Sequence, residues 1–167
     1  MIIQILKHTP IWVYVLFFLL LYIGINNLKS REIRVQTLFI APLLILLLSI
    51  AGVASSFNVS FASVSSWTAG FLLGLGLMRL IFKPEGVKFL LTHRKILVPG
   101  SWLPLVMMMA IFFVKYAVGV ILARNPEEAF DLAFIIPVCL AYGVFSGSFL
   151  GRTLWLYLLV QTGRVEV

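Results

Sequence analysis

The sequence predicts an all-α fold: a polytopic transmembrane helix bundle with five spans and a small cytoplasmic β-hairpin between helices 3 and 4. Of its 167 residues, 62% are apolar and only 11% are charged, and the mean hydropathy is +1.09. A soluble domain of this size would expose too much apolar surface to remain dispersed. The apolar residues also form several runs of about 20, the length at which an α-helix crosses a bilayer.

A single integral-membrane domain, residues 1–167, accounts for the whole chain. The first apolar run is too long for a signal peptide and no small-x-small cleavage pattern follows it, so it is predicted to be a retained helix. The segment SFNVSFASVSS is polar and uncharged, and is predicted to connect helices 2 and 3. The predicted spans are residues 9–28, 35–55, 66–82, 102–123 and 130–160, with a cytoplasmic insert at 83–101.

The insert is the longest stretch that is not predicted to span the membrane. VKFLL (87–91) and KILV (95–98) are short β-prone runs separated by three residues, a spacing typical of a hairpin with its turn at 92–94. An isolated hairpin is marginal in water, so this one is expected to lean on the bundle or on the membrane surface. An amphipathic surface helix over 85–93 is the alternative.

The distribution of lysine and arginine predicts the orientation of the bundle. The 1–2 and 3–4 connections are basic, whereas the 2–3 connection has no lysine or arginine and the 4–5 connection has only Arg124. By the positive-inside rule, the N-terminus lies outside and the C-terminus lies in the cytoplasm. The net charge of +7 therefore indicates membrane lipids as partners, and no nucleic acid. The basic residues of the two connections are Lys29, Arg31, Arg34, Lys83, Lys88, Arg94 and Lys95.

Lys115 stands within the apolar stretch IFFVKYAVGV of helix 4, where an unpaired ammonium would be costly. Counted along the helix, it lies in the outer half of the membrane. Asp131, at the outer start of helix 5, is the first candidate partner, and Tyr116 or a helix carbonyl is the second. Two roles stay open: a structural ion pair that fixes helix register, and a cationic group in a cavity for an anionic solute or a lipid headgroup.

Two further cations lie near the predicted cytoplasmic ends of helices 3 and 5. Arg79 and Arg152 are predicted to contact lipid phosphates at the interface. Together with Lys115 they make the bundle rich in cations, while the few acidic residues lie mostly in connections. If the protein carries a solute, the sequence therefore favours an anion over a metal ion.

Glycines at four-residue spacing form a smooth face on two of the helices. Helix 5 has Gly143, Gly147 and Gly151, and helix 3 has Gly70 and Gly74. Small residues at this spacing allow another helix to approach closely. Packing within the chain is the favoured interpretation, and a homo-oligomer or a membrane-protein partner held through these faces is the alternative.

Several chemistries lack the residues they need. His8 lies at the outer end of helix 1 and His93 lies in the cytoplasmic insert, so one haem cannot bridge them. Cys139 is the only cysteine, which leaves no disulfide and no CxxC pair. Neither HExxH, nor GxSxG, nor a pair of intramembrane carboxylates is present. No catalytic residue, cofactor or metal ligand is therefore predicted.

Three segments resemble a family of small bacterial inner-membrane proteins of unknown function: PGSWLPL (99–105), IFFVKYAVG (111–119) and GVFSGSFLGRTLWLYLL (143–159). The layout is also similar to that of the CcdC-like proteins, with paired helices, a short hairpin-like insert, and a last helix that ends in arginine and aromatic residues. The resemblance covers most of the chain. It implies the bacterial inner membrane as the location, and it implies no activity.

Two functions follow from these features. The first is a non-catalytic membrane partner or assembly factor that uses the glycine faces as contact surfaces. The alternative is a small transporter, or a lipid- or anion-binding membrane protein, with Lys115 and Tyr116 lining a polar cavity. A hydrated cavity that reaches Lys115 would support the alternative, and a tight, dry bundle would support the partner role.

Overall fold

The computed structural model describes residues 9–34, 38–57, 59–81, 88–90, 95–98 and 100–161. This part of the chain contains five α-helices, three short β-strands and a 3₁₀ turn. In chain order they are α1 Ile11–Asn26, β1 Arg31–Arg34, α2 Ile40–Ser56, α3 Phe61–Ile81, β2 Lys88–Leu90, β3 Lys95–Val98, α4 Leu103–Arg124, the 3₁₀ turn Pro126–Phe130, and α5 Leu132–Gln161.

Helix α3 begins at Phe61, five residues before the predicted start at residue 66. The reason is a reciprocal cap built from two serines. The Ser63 amide donates to Ser60 Oγ over 3.2 Å, and the Ser60 amide donates to Ser63 Oγ over 3.0 Å. Such a cap satisfies amides that would otherwise lack a partner at the helix start. The serine-rich segment was therefore wrongly predicted to be all connection, because part of it starts the helix.

Three of the helices are long and apolar enough to cross a membrane: Phe61–Ile81, Leu103–Arg124 and Leu132–Leu159. Helices α1 and α2 are also apolar but shorter, with 16 and 17 residues. At 1.5 Å per residue they extend about 25 Å, against a hydrocarbon core of about 30 Å. Five spans were predicted, and for α1 and α2 the crossing stays a prediction.

A three-stranded antiparallel sheet lies where a two-stranded hairpin was predicted. Its order is β1–β3–β2, with Ile33 of β1 and Phe89 of β2 both opposite Ile96 of β3. The extra strand, β1, comes from the connection between α1 and α2, which was predicted to be only a basic turn. The predicted turn at 92–94 lies outside the described residues. The sheet thus joins the two basic connections at one end of the bundle, which we call the sheet end.

Helices α3 and α5 form the most extensively packed pair, α2 packs on α5, and α1 packs on α4. Two apolar clusters hold α4 to the other helices. The larger cluster is buried between α2, α4 and α5, and it contains Val53, Phe57, Val118, Ile135, Val138, Cys139 and Tyr142. The second lies nearer the sheet end and contains Met78, Met107 and Phe149.

The glycine face of α5 lies directly against the backbone of α3. A side chain on Gly143 would meet the Trp67 carbonyl, and a side chain on Gly147 would meet the Phe71 carbonyl. Gly151 continues this face towards the sheet end, where a Cβ would lie 3.3 Å from the Leu75 backbone. Only residues without a side chain permit this approach.

The glycine face of α3 lies in the same way against the backbone of α5. A side chain on Gly70 would meet the Leu140 carbonyl, and one on Gly74 would meet the Val144 carbonyl and lie 2.8 Å from the Ser148 amide nitrogen. Both glycine faces are therefore turned towards each other within one chain. A partner held through these glycines, as the alternative supposes, would require α3 and α5 to separate.

Candidate functional site

A cavity of about 1040 Å³ lies between α1, α2, α4 and α5. It exists because α1 packs on α4 but makes no comparable contact with α2, its neighbour in sequence. Helix α1 lines the cavity with one face, whose residues follow helical spacing. These residues are Thr9, Val13, Leu16, Leu20 and Ile23, joined by Pro10 and Trp12.

At the sheet end of the cavity, α1 and α4 are in direct contact. There, Gly24 is buried and a Cβ on it would lie only 3.2 Å from the Leu105 Cα. The Ser101 amide also donates to the Asn27 carbonyl over 3.0 Å, which ties the end of α1 to the segment before α4. At the opposite end the lining becomes polar, with Thr9, Tyr116 and Arg124.

Lys115 lies between these two ends and points towards α2. Its Nζ donates to the Leu48 carbonyl over 3.2 Å, and it lies 4.6 Å from the centroid of the Tyr142 ring. The predicted second choice of partner, a helix carbonyl, is thus the contact that the ammonium makes. The Tyr142 ring adds a cation–π contact from α5.

The first candidate partner, Asp131, does not pair with Lys115. Its Oδ1 accepts a 2.9 Å hydrogen bond from the Ala133 amide and caps the start of α5. The two residues also differ in depth, because Arg124 at the end of α4 lies nine residues beyond Lys115, about 13 Å along the axis. The predicted ion pair was wrong because Asp131 lies at the helix end, where capping satisfies its carboxylate.

Gly52 makes room for the ammonium. A Cβ at Gly52 would lie 2.6 Å from Lys115 Nζ and 3.5 Å from Tyr142 Cε2. Only a glycine one turn after Leu48 therefore leaves the carbonyl open to a lysine from α4. The sequence did not predict a role for Leu48, Gly52 or Tyr142, although a glycine inside an otherwise apolar helix is a signal of close approach.

Removing Asp131 and removing Lys115 should have independent effects on stability. We expect Asp131→Ala to lower the free energy of unfolding by about 1 kcal/mol, because it deletes a helix N-cap. The double variant Lys115→Met with Asp131→Ala should lose the sum of the two single effects, to within about 0.5 kcal/mol. Thermal unfolding in detergent compares the stability of all three variants. If the double variant recovers the stability that either single variant lost, Lys115 and Asp131 form an ion pair after all.

The serine hydroxyls beside Lys115 are committed to hydrogen bonds within the protein. Ser49 Oγ donates to the Tyr142 carbonyl over 3.2 Å and accepts from Trp67 Nε1 over 2.9 Å. Ser146 Oγ donates to the same carbonyl over 2.8 Å. These bonds link α2, α3 and α5 into one rigid wall behind the cavity.

Tyr116 also lines the cavity, one residue after Lys115. Its hydroxyl is hydrogen-bonded to Thr9 Oγ1 over 2.7 Å, which fastens the beginning of α1 to α4. The ring of Tyr116 stacks parallel to that of Phe112. Lys115 and Tyr116 thus both line the cavity, but its lining is mostly apolar, whereas the sequence predicted a polar cavity.

Arg79 and Arg152 lie outside the cavity lining. The Arg79 guanidinium is exposed near the end of α3, with its Cζ 5.8 Å from the Trp155 ring centroid. Arg152 is half-buried on α5. Their predicted contact with lipid phosphates stays a prediction.

Within the described residues, no group of three or more histidine, cysteine, aspartate or glutamate side chains could hold a metal ion. Cys139 is buried in the larger apolar cluster as a free thiol. The cavity thus offers two cations, Lys115 and Arg124, and a few hydroxyls among mostly apolar side chains.

The chain matches, over residues 1–165, the sequence model of a family of unknown function (DUF6622). The chain belongs to this family. Uncharacterized protein PM0739 of Pasteurella multocida (strain Pm70) is 33% identical over 92 residues, which are 54% of this chain and 68% of that protein. No solved structure matches the chain. The predicted membership of an uncharacterised family is thereby confirmed as DUF6622, and the similarity of layout to the CcdC-like proteins stays a prediction.

Proposed function

We propose that this protein binds a lipid-like anion, with the hydrocarbon part in the cavity and the anionic group at Lys115. The observation that carries the proposal is a cavity of about 1040 Å³ that reaches Lys115. Its volume is at the upper end of the range of small-molecule sites, about 300–1000 Å³. Of the two functions that the sequence favoured, the binding role needs such a cavity and the partner role does not.

The character of the lining supports an amphiphile. Most of the cavity surface is formed by aliphatic and aromatic side chains, which favour hydrocarbon over a hydrated solute. Lys115 supplies a positive group between the two ends of the cavity. Its contacts with the Leu48 carbonyl and the Tyr142 ring leave the charge without an anionic partner among the described residues, which is costly in a membrane. An anionic group beside it would offset part of that cost, so charge complementarity favours an anion.

The weak contact between α1 and α2 supports access from the bilayer. Helix α1 is held by α4, by the Thr9–Tyr116 hydrogen bond at one end and by the Asn27–Ser101 bond at the other. An amphiphile could therefore pass between α1 and α2 without breaking the packing of α3 on α5. The glycine faces that suggested a membrane partner are packed inside the chain.

The proposal includes the bacterial inner membrane, five spans, and an N-terminus outside with a cytoplasmic C-terminus. Its support is the distribution of charge: the basic connections share the sheet end of the bundle. The relative from Pasteurella multocida supports a bacterial source.

Reporter fusions test the orientation. We expect alkaline phosphatase to be active when fused within Pro126–Phe130 and inactive when fused after residue 161, where a fluorescent protein should fluoresce. The physical reason is that the connection at Pro126–Phe130 lies at the end of the bundle opposite the sheet. Active phosphatase in a fusion at residues 83–99 would reverse the orientation.

Mass spectrometry of the purified protein tests the binding role. The wild-type protein, extracted in mild detergent, should retain an anionic amphiphile in a fixed molar ratio, and Lys115→Met should retain less of it. An unrelated membrane protein of similar size, purified alongside, gives the background of bulk lipid. If both proteins and the variant carry the same lipids in the same amounts, the proposed function is wrong.

A further inference from the structure

We infer that the ligand is a single-chain amphiphile with one carboxylate, that is, a long-chain monocarboxylate. This inference rests on the proposed function and names the chemical class that the cavity would select. Three features of the described residues carry it: the number of free donors at Lys115, the state of the neighbouring hydroxyls, and the polarity of the two ends of the cavity.

The first feature is the coordination of the Lys115 ammonium. An ammonium has three N–H donors. One direction is taken by the Leu48 carbonyl at 3.2 Å, and the face of the Tyr142 ring, 4.6 Å away, takes a second. Among the described residues, no other acceptor is in contact with Nζ, so one N–H is left for the cavity. A carboxylate oxygen fits this single donor, whereas a phosphate group has more acceptor oxygens and up to two charges to satisfy.

The second feature is that the two serine hydroxyls of the lining have no hydrogen left to donate to a ligand. The hydroxyl hydrogens of Ser49 and Ser146 are both directed at the Tyr142 carbonyl. The hydroxyl of Tyr116 is engaged with Thr9. A head group with several hydroxyls or phosphate oxygens would lose its water here without finding enough partners. A small head group with one charge loses the fewest hydrogen bonds to water.

The third feature is the difference between the ends. On the sheet side of Lys115 the lining is mostly apolar, and beyond it Gly24 of α1 contacts Leu105 of α4. On the other side it becomes polar towards Arg124. A hydrocarbon chain is thus directed towards the apolar sheet end, with its carboxylate at Lys115. The residues of the apolar end are Leu20, Ile23, Leu44, Ile45 and Met108.

Binding of matched sixteen-carbon probes tests the inference. The full chain in phosphatidylcholine nanodiscs is titrated with palmitate, hexadecanol and hexadecyl phosphate, and empty nanodiscs give the partition background. We expect palmitate to bind the wild-type protein at least about tenfold more tightly than hexadecanol, as one hydrogen bond between charged groups allows. Lys115→Met, which keeps the length and apolar stem of the side chain, should bind both equally.

The outcomes separate the inference from the proposed function. If hexadecyl phosphate binds the wild type more tightly than palmitate, the monocarboxylate inference is overturned and the proposed anion-binding function stands. If hexadecanol binds as tightly as palmitate, the anionic group contributes nothing, and the inference and the proposed function both fail. A preference for palmitate that survives in Lys115→Met overturns the inference as well. If no probe binds above the empty nanodiscs, the proposed function fails together with the inference.

Discussion

Replacing Gly147 by alanine should lower the stability of the bundle by about 3 kcal/mol, the upper range for overpacking a close contact. Even one methyl group at this position would meet the Phe71 carbonyl of α3, and it would lie 3.1 Å from the Leu75 amide nitrogen. Both neighbours are backbone atoms and cannot rotate away. The α3–α5 pair, the most extensively packed in the protein, would therefore have to separate.

Gly76→Ala is the matched control for this substitution. Gly76 lies in α3 and is exposed, and a Cβ there would meet nothing within 4 Å. Alanine at that position should be neutral or stabilise the helix by up to about 1 kcal/mol, because glycine is a poor helix former. Thermal unfolding in the same detergent compares the two variants. Equal melting temperatures would show that Gly147 does not lie at a helix contact.

Replacing Gly119 by tryptophan should abolish most ligand binding and leave the bundle folded. Gly119 lies in the cavity, one turn beyond Lys115 on the side of Arg124. A Cβ there meets nothing within 4 Å, so the indole can enter open space without displacing the backbone. Because the ring would occupy the volume next to the ammonium, we expect binding of palmitate to weaken at least about tenfold, a loss of 1.4 kcal/mol or more.

Gly76→Trp is the control for this change, because it also replaces a helical glycine by the same large side chain. Both glycines are exposed helical residues with open space around them, but α3 contributes no residue to the cavity lining. The titration in nanodiscs should give wild-type affinity for Gly76→Trp, and both variants should melt near the wild-type temperature. Wild-type affinity in a folded Gly119→Trp variant would show that the ligand lies elsewhere.

Hydropathy predicted the helical class and the approximate helix positions, because an apolar run of the right length has few other stable structures in lipid. Local hydrogen bonding decided what hydropathy could not. The serine cap at Ser60 and Ser63 moved the start of α3. The short run Arg31–Arg34 became a strand only because β3 offers it an edge. Strand pairing of this kind joins residues far apart in sequence, so the local sequence pattern cannot predict it.

The candidate site was only partly predicted, because its contacts also join residues far apart in sequence. Lys115 and Tyr116 could be singled out because a charge in an apolar helix is conspicuous. Their surroundings depend on which helices meet at that depth, and this is set by the packing of α2 on α5 and of α1 on α4. Asp131, at the start of the next helix, was the predicted partner, yet the Leu48 carbonyl, left accessible by Gly52, is the acceptor that Lys115 contacts. Hydropathy contains no information about the space that Gly52 leaves beside the Leu48 carbonyl.

Photo-cross-linking tests the central claim most directly. Palmitate with a diazirine at the end of its chain is bound to the protein in nanodiscs and irradiated, and the adducts are mapped by peptide mass spectrometry. We expect adducts at the apolar end of the cavity, at Leu20, Ile23 or Met108, and an excess of unlabelled palmitate should remove them. Adducts confined to the exposed face of α3, at Leu73 and Leu77, and unaffected by competitor would contradict the claim.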